Sequence, residues 1–347
     1  MKILITGGAG MVGSHAAEYF AKKKQNRIIV LDNLMRSKLF GYNKKSVEYN
    51  WHYLSRYPNV ERIKGDIRDV KILRRIFNKG VDGVIHAAAQ PGVGYSIDNP
   101  HEDYSINAFG TFNVLEALRK FNKTKSFFIY CSTNKVYGEN VSKISLIEKK
   151  TRYIFKEVKG IDENIKIDLT AHTPYGVSKY TGDLYAQEYA HMYGIKTCVF
   201  RMSCIYGTRQ FGFEDQGWLA HFLISNLMTR PITVYGNGKQ VRDVLYVTDL
   251  IRGFDLFIKS NLKKEVFNIG GGPDNTISLL EFVEIVENNT KRKMKINFSK
   301  WRPSDQKVYI SDISKVKKIL DWQPEIALYK GLEKMLNWVS ENRHYFV

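Results

Sequence analysis

Along the first half of the chain, short apolar runs alternate with amphipathic stretches. The runs Lys2–Thr6, Arg27–Leu31, Val60–Lys64, Gly83–Ala87, Ser126–Tyr130 and Lys196–Arg201 predict strands. Between them, Met11–Lys24, Val70–Asn78, Ile106–Phe121 and Ser178–Tyr193 carry apolar residues at helical spacing. This alternation predicts an α/β fold, a doubly wound parallel sheet whose crossovers gather the strand C-termini on one ligand-binding edge. After about residue 205 the pattern loosens. Glycine, aromatic and polar residues crowd Tyr206–Trp218, and helices are expected at Leu279–Asn289, Ser314–Leu320 and Leu328–Asn342. The expected division is a nucleotide-binding domain over 1–205 and a smaller C-terminal substrate-binding lobe over 206–347. Val244–Lys259 is read as a strand and helix returning to the first domain.

The first strand runs into Gly7-Gly8-Ala9-Gly10-Met11-Val12-Gly13. Gly8, Gly10 and Gly13 fit G-x-G-x-x-G, and Gly7, Gly10 and Gly13 fit G-x-x-G-x-x-G. Such glycines allow a tight turn and let the backbone approach a pyrophosphate, which the following helix N-terminus attracts. The second strand ends at Asp32, where an acid binds the adenosine ribose hydroxyls. Asp32 would repel a 2′-phosphate, so NAD is favoured over NADP, although Arg36 stands close by in sequence. Asp66 and Ile67 after the third strand, and Ala87 and Ala88 at the end of the fourth, are placed to border the cofactor of this Rossmann-like sheet.

Tyr175-Gly176-Val177-Ser178-Lys179 puts a phenol and an ammonium at i and i+4, on one face of a helix start. The ammonium is expected to lower the phenol pKa from about 10, so that Tyr175 can take a proton from a substrate hydroxyl. Lys179 can also hold the nicotinamide ribose. The fifth strand leads to Cys131-Ser132-Thr133, and Thr133 offers a hydroxyl that could share the same substrate oxygen.

Composition changes this picture little. Lys plus Arg is 53 against 35 Asp plus Glu, a formal net charge of +18. That balance suits anionic partners, but the basic residues are scattered and show no stripe or zinc-finger spacing, so a lysine-rich solvated surface is the plainer reading. Cys131, Cys198 and Cys204 form no Cys-x-x-Cys pair, which argues for reduced thiols and the cytoplasm. The first apolar run is too short for a signal peptide, and no stretch approaches the roughly 20 apolar residues of a membrane span.

Glycine loop, strand-end hydroxyl and Tyr-x-x-x-Lys, in this order, resemble the extended short-chain dehydrogenase/reductase (NAD-dependent epimerase/dehydratase) family over nearly the whole chain. Asn107 in the helix after Pro100, Tyr137-Gly138, Arg242-Asp243-Val244 and Arg302-x-x-Asp305 match it too. The resemblance implies an NAD-dependent enzyme acting on a nucleotide sugar, with Thr133, Tyr175 and Lys179 catalytic and no metal. It implies NAD held by Gly7, Gly10, Met11, Val12, Gly13, Asp32, Asn33, Asp66, Ile67, Ala87, Ala88, Gln90, Asn107, Tyr175 and Lys179. The nucleotide sugar falls to Thr133, Ser203, Arg209, Gln216, Arg242, Arg302 and Asp305.

Dehydratase members of the family carry Asp-Glu directly after the threonine. Here Asn134 and Lys135 stand there, and neither is a carboxyl acid or base, so dehydration is disfavoured. Arg201–Phe211, Asp215–Trp218, Gly236–Asp243 and the insertion holding Glu148–Arg152 and Gly160–Glu163 resemble the branch that inverts C2 of CDP-linked 3,6-dideoxyhexoses. A UDP-sugar 4-epimerase or a nucleotide-sugar reductase is the alternative enzyme. A non-catalytic NAD-sensing or nucleic-acid-binding protein is a third reading, opposed by the intact Thr133, Tyr175 and Lys179 set. The implied partners are a CDP-sugar and further copies of the chain, as a dimer or tetramer joined through the helices near Ile106–Phe121 and Ser178–Tyr193, with neither nucleic acid nor membrane.

Overall fold

The computed structural model describes residues 1–36, 44–122 and 125–346. Two compact units emerge. Unit 1 is Met1–Thr133, Pro174–Arg201 and Ile251–Phe267; unit 2 is Asn134–Thr173, Met202–Leu250 and Asn268–Val347.

Unit 1 is built on β1 (Lys2–Thr6), α1 (Met11–Ala21), β2 (Arg27–Asp32), α2 (Lys44–Tyr53), β3 (Val60–Lys64), α3 (Val70–Phe77) and β4 (Gly83–His86). There follow α4 (Val93–Asp98), α5 (Pro100–Tyr104), a π-helical turn Ser105–Phe109, α6 (Gly110–Phe121), β5 (Phe127–Thr133), α7 (Pro174–Tyr193) and β6 (Lys196–Met202), with α8 (Val247–Lys259) and β7 (Lys264–Ile269) last. The sheet order is β7-β6-β5-β4-β1-β2-β3. Pairing is parallel from β3 through β2, β1 and β4 to β5. The order reverses between β1 and β4, which opens the ligand-binding crevice at their C-terminal ends.

The central strands β1, β4 and β5 read as largely apolar runs because both faces are covered. All four residues of β4 and all seven of β5 are buried. α3 turns Leu73, Ile76 and Phe77 inward, and the Asp69 side chain caps it by accepting from the Lys71 and Ile72 N–H groups.

Unit 2 is less regular. Strand Val241–Tyr246 pairs in parallel with Cys204–Tyr206 and Val308–Tyr309, and antiparallel with Thr276–Ser278. Helix Leu279–Thr290 opens with a capping box between Ser278 and Glu281.

The units depart from the single cut expected at residue 205. Segment 134–173 belongs to unit 2 because its hairpin (Leu146–Glu148 with Tyr153–Phe155) is tied there: Arg152 pairs with Glu281 at 2.6 Å and the Tyr153 N–H reaches Lys239 O at 2.9 Å. The chain returns to unit 1 over Ile251–Phe267, which holds most of helix Val247–Lys259; strand Val241–Tyr246 stays in unit 2, and the strand that joins the large sheet is β7. Fully buried Phe267 and Ile269 favour a strand there. No helix among the described residues is long and apolar enough to cross a membrane, and all three cysteines are free thiols.

Candidate active site

The glycine loop follows β1 at the point where the sheet order reverses. Gly7 has φ 68°, and a Cβ there would lie 2.6 Å from Ala88 Cα, so only glycine lets the loop pass the end of β4. The Gly10 N–H closes the turn on Gly7 O, and the Ser14 N–H makes the first helical bond, to Gly10 O, both at 3.0 Å. The N–H groups of Met11, Val12 and Gly13 therefore precede the helical ladder, and no side chain caps α1. These donors suit a diphosphate.

Asp32 accepts from the Ala9 N–H at 2.9 Å and the Leu34 N–H at 2.8 Å, which fastens the loop and leaves lone pairs for ribose hydroxyls. Burial pushes its carboxyl up, opposed by those two bonds and by Arg36. Asn33 donates to Asp66 at 2.8 Å. Burial would raise the Asp66 carboxyl, but hydrogen bonds from Arg68 and Asn33 hold it below the usual range. Ile67 is buried beside it. Gln90 and Asn107 clasp each other, Gln90 N–H to Asn107 Oδ1 at 2.8 Å and Asn107 Nδ2 to Gln90 O at 3.0 Å. The expected cofactor residues thus all lie in unit 1, at the ends of β1 to β4 and on the helices beside them, and the loop, uncapped helix and free lone pairs fit NAD.

The catalytic turn departs from expectation in one respect. Tyr175 and Thr133 share a side-chain hydrogen bond, which lowers the phenol pKa, but burial outweighs it and pushes Tyr175 up to about 12, with Asp103 adding to the rise. Lys179 does not offset this. Its Nζ donates to Cys131 O at 2.7 Å and lies 4.4 Å from the centre of the Tyr130 ring. Burial lowers Lys179 to about 8. The expected fall of the phenol pKa below 10 is therefore not a property of the protein alone. The ammonium is turned toward a carbonyl.

Two buried networks hold this turn. Asp183, one helical turn beyond Lys179, is fully buried. It accepts from Arg201 Nε at 3.0 Å, Ser132 Oγ at 2.8 Å and Gln187 Nε2 at 2.6 Å, and so clamps the end of β5 to α7. His86 contacts Thr6 Oγ1 at 2.7 Å and Thr111 Oγ1 at 3.0 Å. The Thr111 hydroxyl donates to Asn107 O at 2.6 Å and so must accept from His86 Nε2–H, while Thr6 accepts the Ala88 N–H at 3.3 Å and gives its own proton to His86 Nδ1. Burial lowers His86 to about 3, so the ring is neutral.

In unit 2, Arg242 donates to Asp305 at 2.8 Å. Lys135 is near both, and burial lowers it to about 8 despite the pull of Asp305. Arg302 lies over the Tyr235 ring at 3.9 Å and pairs with Asp215 at 3.4 Å and Glu214 at 3.6 Å. The Ser203 hydroxyl donates to Asp243. Arg209 is buried with φ 58°, a strained backbone for a non-glycine residue. The Gln216 and Phe213 backbones exchange two bonds of 3.0 Å that close a tight loop. Asp305 is thus held by Arg242, and the Arg242–Asp305 and Arg302 groups form distinct charged clusters.

Sequence reasoning missed Asp183, Asp103 and Lys135 as contributors. The first was findable: Tyr175, Lys179 and Asp183 recur every four residues and so share a helix face. Lys135 was noted only as a missing carboxyl. The Lys179–Cys131 bond uses a backbone acceptor, which side-chain identity does not reveal.

The family model described as "NAD dependent epimerase/dehydratase family" matches residues 3–270. The chain is 40% identical to CDP-paratose 2-epimerase of Salmonella typhi, covering 98% of this chain and 99% of that protein. It is 33% identical to a putative UDP-glucose 4-epimerase of Methanocaldococcus jannaschii, covering 98% and 99%. Among solved structures it resembles UDP-glucuronic acid 4-epimerase from Bacillus cereus in complex with UDP-glucuronic acid and NAD, at TM-score 0.82 and 28% identity over 99% of this chain and 100% of that one. The family model covers well over half of the chain, and the chain therefore belongs to the NAD-dependent epimerase/dehydratase family, as an NAD-dependent nucleotide-sugar epimerase.

Proposed function

We propose that the chain converts CDP-paratose to CDP-tyvelose by inverting C2. The observation that carries this reading is the 40% identity to a CDP-paratose 2-epimerase over essentially both whole chains. The carboxylate pair expected of dehydratases is replaced by Asn134 and Lys135. NAD, when bound, supplies the hydride acceptor and donor and a positive ring that draws on the Tyr175 proton. Tyr175 takes the C2 hydroxyl proton, and Thr133 holds the same oxygen and steadies the phenol. With NAD bound, the C2 hydride would be taken up and returned to the opposite face of the sugar, while Tyr175 holds the hydroxyl proton between the two transfers and gives it back to the same oxygen. Lys179 holds the nicotinamide ribose. Arg242 and Arg302 bind the diphosphate by exchanging carboxylate partners for phosphate oxygens, with Asp305, Ser203, Arg209 and Gln216 completing the nucleotide-sugar contacts.

The test is a CDP-paratose deuterated at C2. Product with deuterium kept at C2 in ordinary water and no net consumption of NAD is expected. Label lost to solvent would defeat the hydride route. A UDP-sugar 4-epimerase is the second reading, favoured by the 33% identity to a putative UDP-glucose 4-epimerase. Inversion at C4 of a UDP-sugar, with CDP-paratose inert, would establish it.

We also propose a homo-oligomer. Val177, Leu184, Tyr185, Met192 and Tyr193 leave an exposed apolar stripe on α7, and Phe109 adds to it beside α6. Leu184→Glu should convert the assembly to monomers by light scattering; a parent that is already monomeric refutes this.

A further inference from the structure

Asp103 is a fully buried carboxyl on α5. Its neighbours His101 and Tyr104 are exposed, and Glu102 reaches Arg68 at 3.1 Å. Asn107, one turn on, sits in the π-helical turn Ser105–Phe109. Such turns carry one residue more than a regular helix and often mark functional sites. Asn107 Nδ2 lies 3.0 Å from Asp103 Oδ1, 3.0 Å from Gln90 O and 3.2 Å from Ser178 Oγ. Two amide hydrogens serve three acceptors, so Asp103, the loop after β4 and the first turn of α7 meet at one side chain. Ser178 lies directly before Lys179 and donates to Tyr175 O at 3.1 Å.

The Asp103 carboxylate is buried, with Oδ1 accepting from Asn107 and Ser178 adding a further side-chain hydrogen bond to the carboxyl. The carboxylate raises the Lys179 pKa and also the Tyr175 pKa. Both effects follow from its charge, which favours an ammonium and disfavours a phenolate. Burial pushes the Asp103 carboxyl itself up to about 6, against the pull of Ser178, Lys179 and Asn107. Among the ionisable groups on the packed elements are Tyr175, Lys179, Tyr180 and Asp183 on α7, Tyr95 and exposed Asp98 on α4, and His101, Glu102 and Tyr104 on α5 itself; Asp183 also favours the Lys179 ammonium, and Tyr95 responds to Glu102.

We propose that Asp103 is a positioning residue of the catalytic turn: through Asn107 and Ser178 its buried carboxylate fixes the turn that carries Tyr175 and Lys179, and its negative charge favours the Lys179 ammonium and opposes the Tyr175 phenolate that accepts the substrate proton. This rests on the reading of Tyr175 as the acid/base.

The test is a spectrophotometric pH titration of the holoenzyme, with the Tyr175 phenolate signal isolated by subtracting Tyr175→Phe. Asp103→Asn keeps the shape and still accepts from Asn107. The Tyr175 signal should appear about half to one pH unit lower than in the parent, and the acid limb of kcat on CDP-paratose should move the same way with KM within about two-fold. Superimposable titrations overturn the proposal, and so does a fall in Tm with no shift, which would make Asp103 purely structural. If Asp103→Asn does not fold, Asp103→Ser with the same readout decides. If the parent does not turn over CDP-paratose, the substrate reading fails while the phenolate titration still decides Asp103.

Discussion

Lys179 in unit 1 and the arginines of unit 2 are both candidate ligand-binding cations, yet they are kept in opposite ways. Lys179 is 3% exposed, and its hydrogen-bond acceptor is a backbone carbonyl, with an aromatic face beside it. Arg242 and Arg302 have carboxylates against them, Asp305 for the first and Asp215 with Glu214 for the second. A lysine buried against a neutral hydrogen-bond acceptor can change its protonation state and so influence a proton transfer. A guanidinium stays charged at any working pH and can only exchange one anion for another. The proposed roles follow this difference, chemistry in the first region and anchoring in the second.

That contrast gives an order of expected effects. Tyr175→Phe strikes the proton transfer itself, and the rate should fall roughly 100-fold or more with bound NAD retained; near-normal turnover would move the base elsewhere. Arg242→Gln strikes anchoring. It should raise KM about 10- to 100-fold, the worth of a charge-assisted bond, with kcat changed far less. A kcat loss at constant KM would erase the distinction drawn above.

His86 sharpens the comparison through pH. Burial holds its folded pKa at about 3, below the ordinary imidazole value of 6.5, so the unfolded chain takes up the proton first. Its contribution is complete above pH 6.5 and is lost as pH falls toward 3, at about 1.4 kcal/mol per unit. Between pH 6.5 and 5 the parent should lose about 2 kcal/mol relative to His86→Gln in urea unfolding. Equal losses would mean the ring is not held neutral. Arg302→Lys should have the smallest effect. It keeps the charge but loses the planar stack on Tyr235, so KM should rise only about two- to five-fold. A change as large as that of Arg242→Gln would show the stack to be essential.

The chain's own pattern determined the sheet of unit 1, the glycine loop and the Thr133, Tyr175 and Lys179 set, because these rest on local rules. Parallel strands buried on both faces must be apolar runs, a loop passing Ala88 at 2.6 Å must be glycine, and residues four apart share a helix face. Even there the ends moved: β5 runs to Thr133, and α7 starts at Pro174 rather than Ser178. Tertiary structure alone decided the rest. Segment 134–173 joined unit 2 through Arg152 and Glu281, which stand 129 residues apart. The Tyr175 pKa rose instead of falling because desolvation and the direction of the Lys179 ammonium depend on what packs around them. Asp103 came beside Lys179 only through the fold. Periodicity records which face of an element is buried, but not which polar groups meet there, and the energy of a buried charge depends on those neighbours.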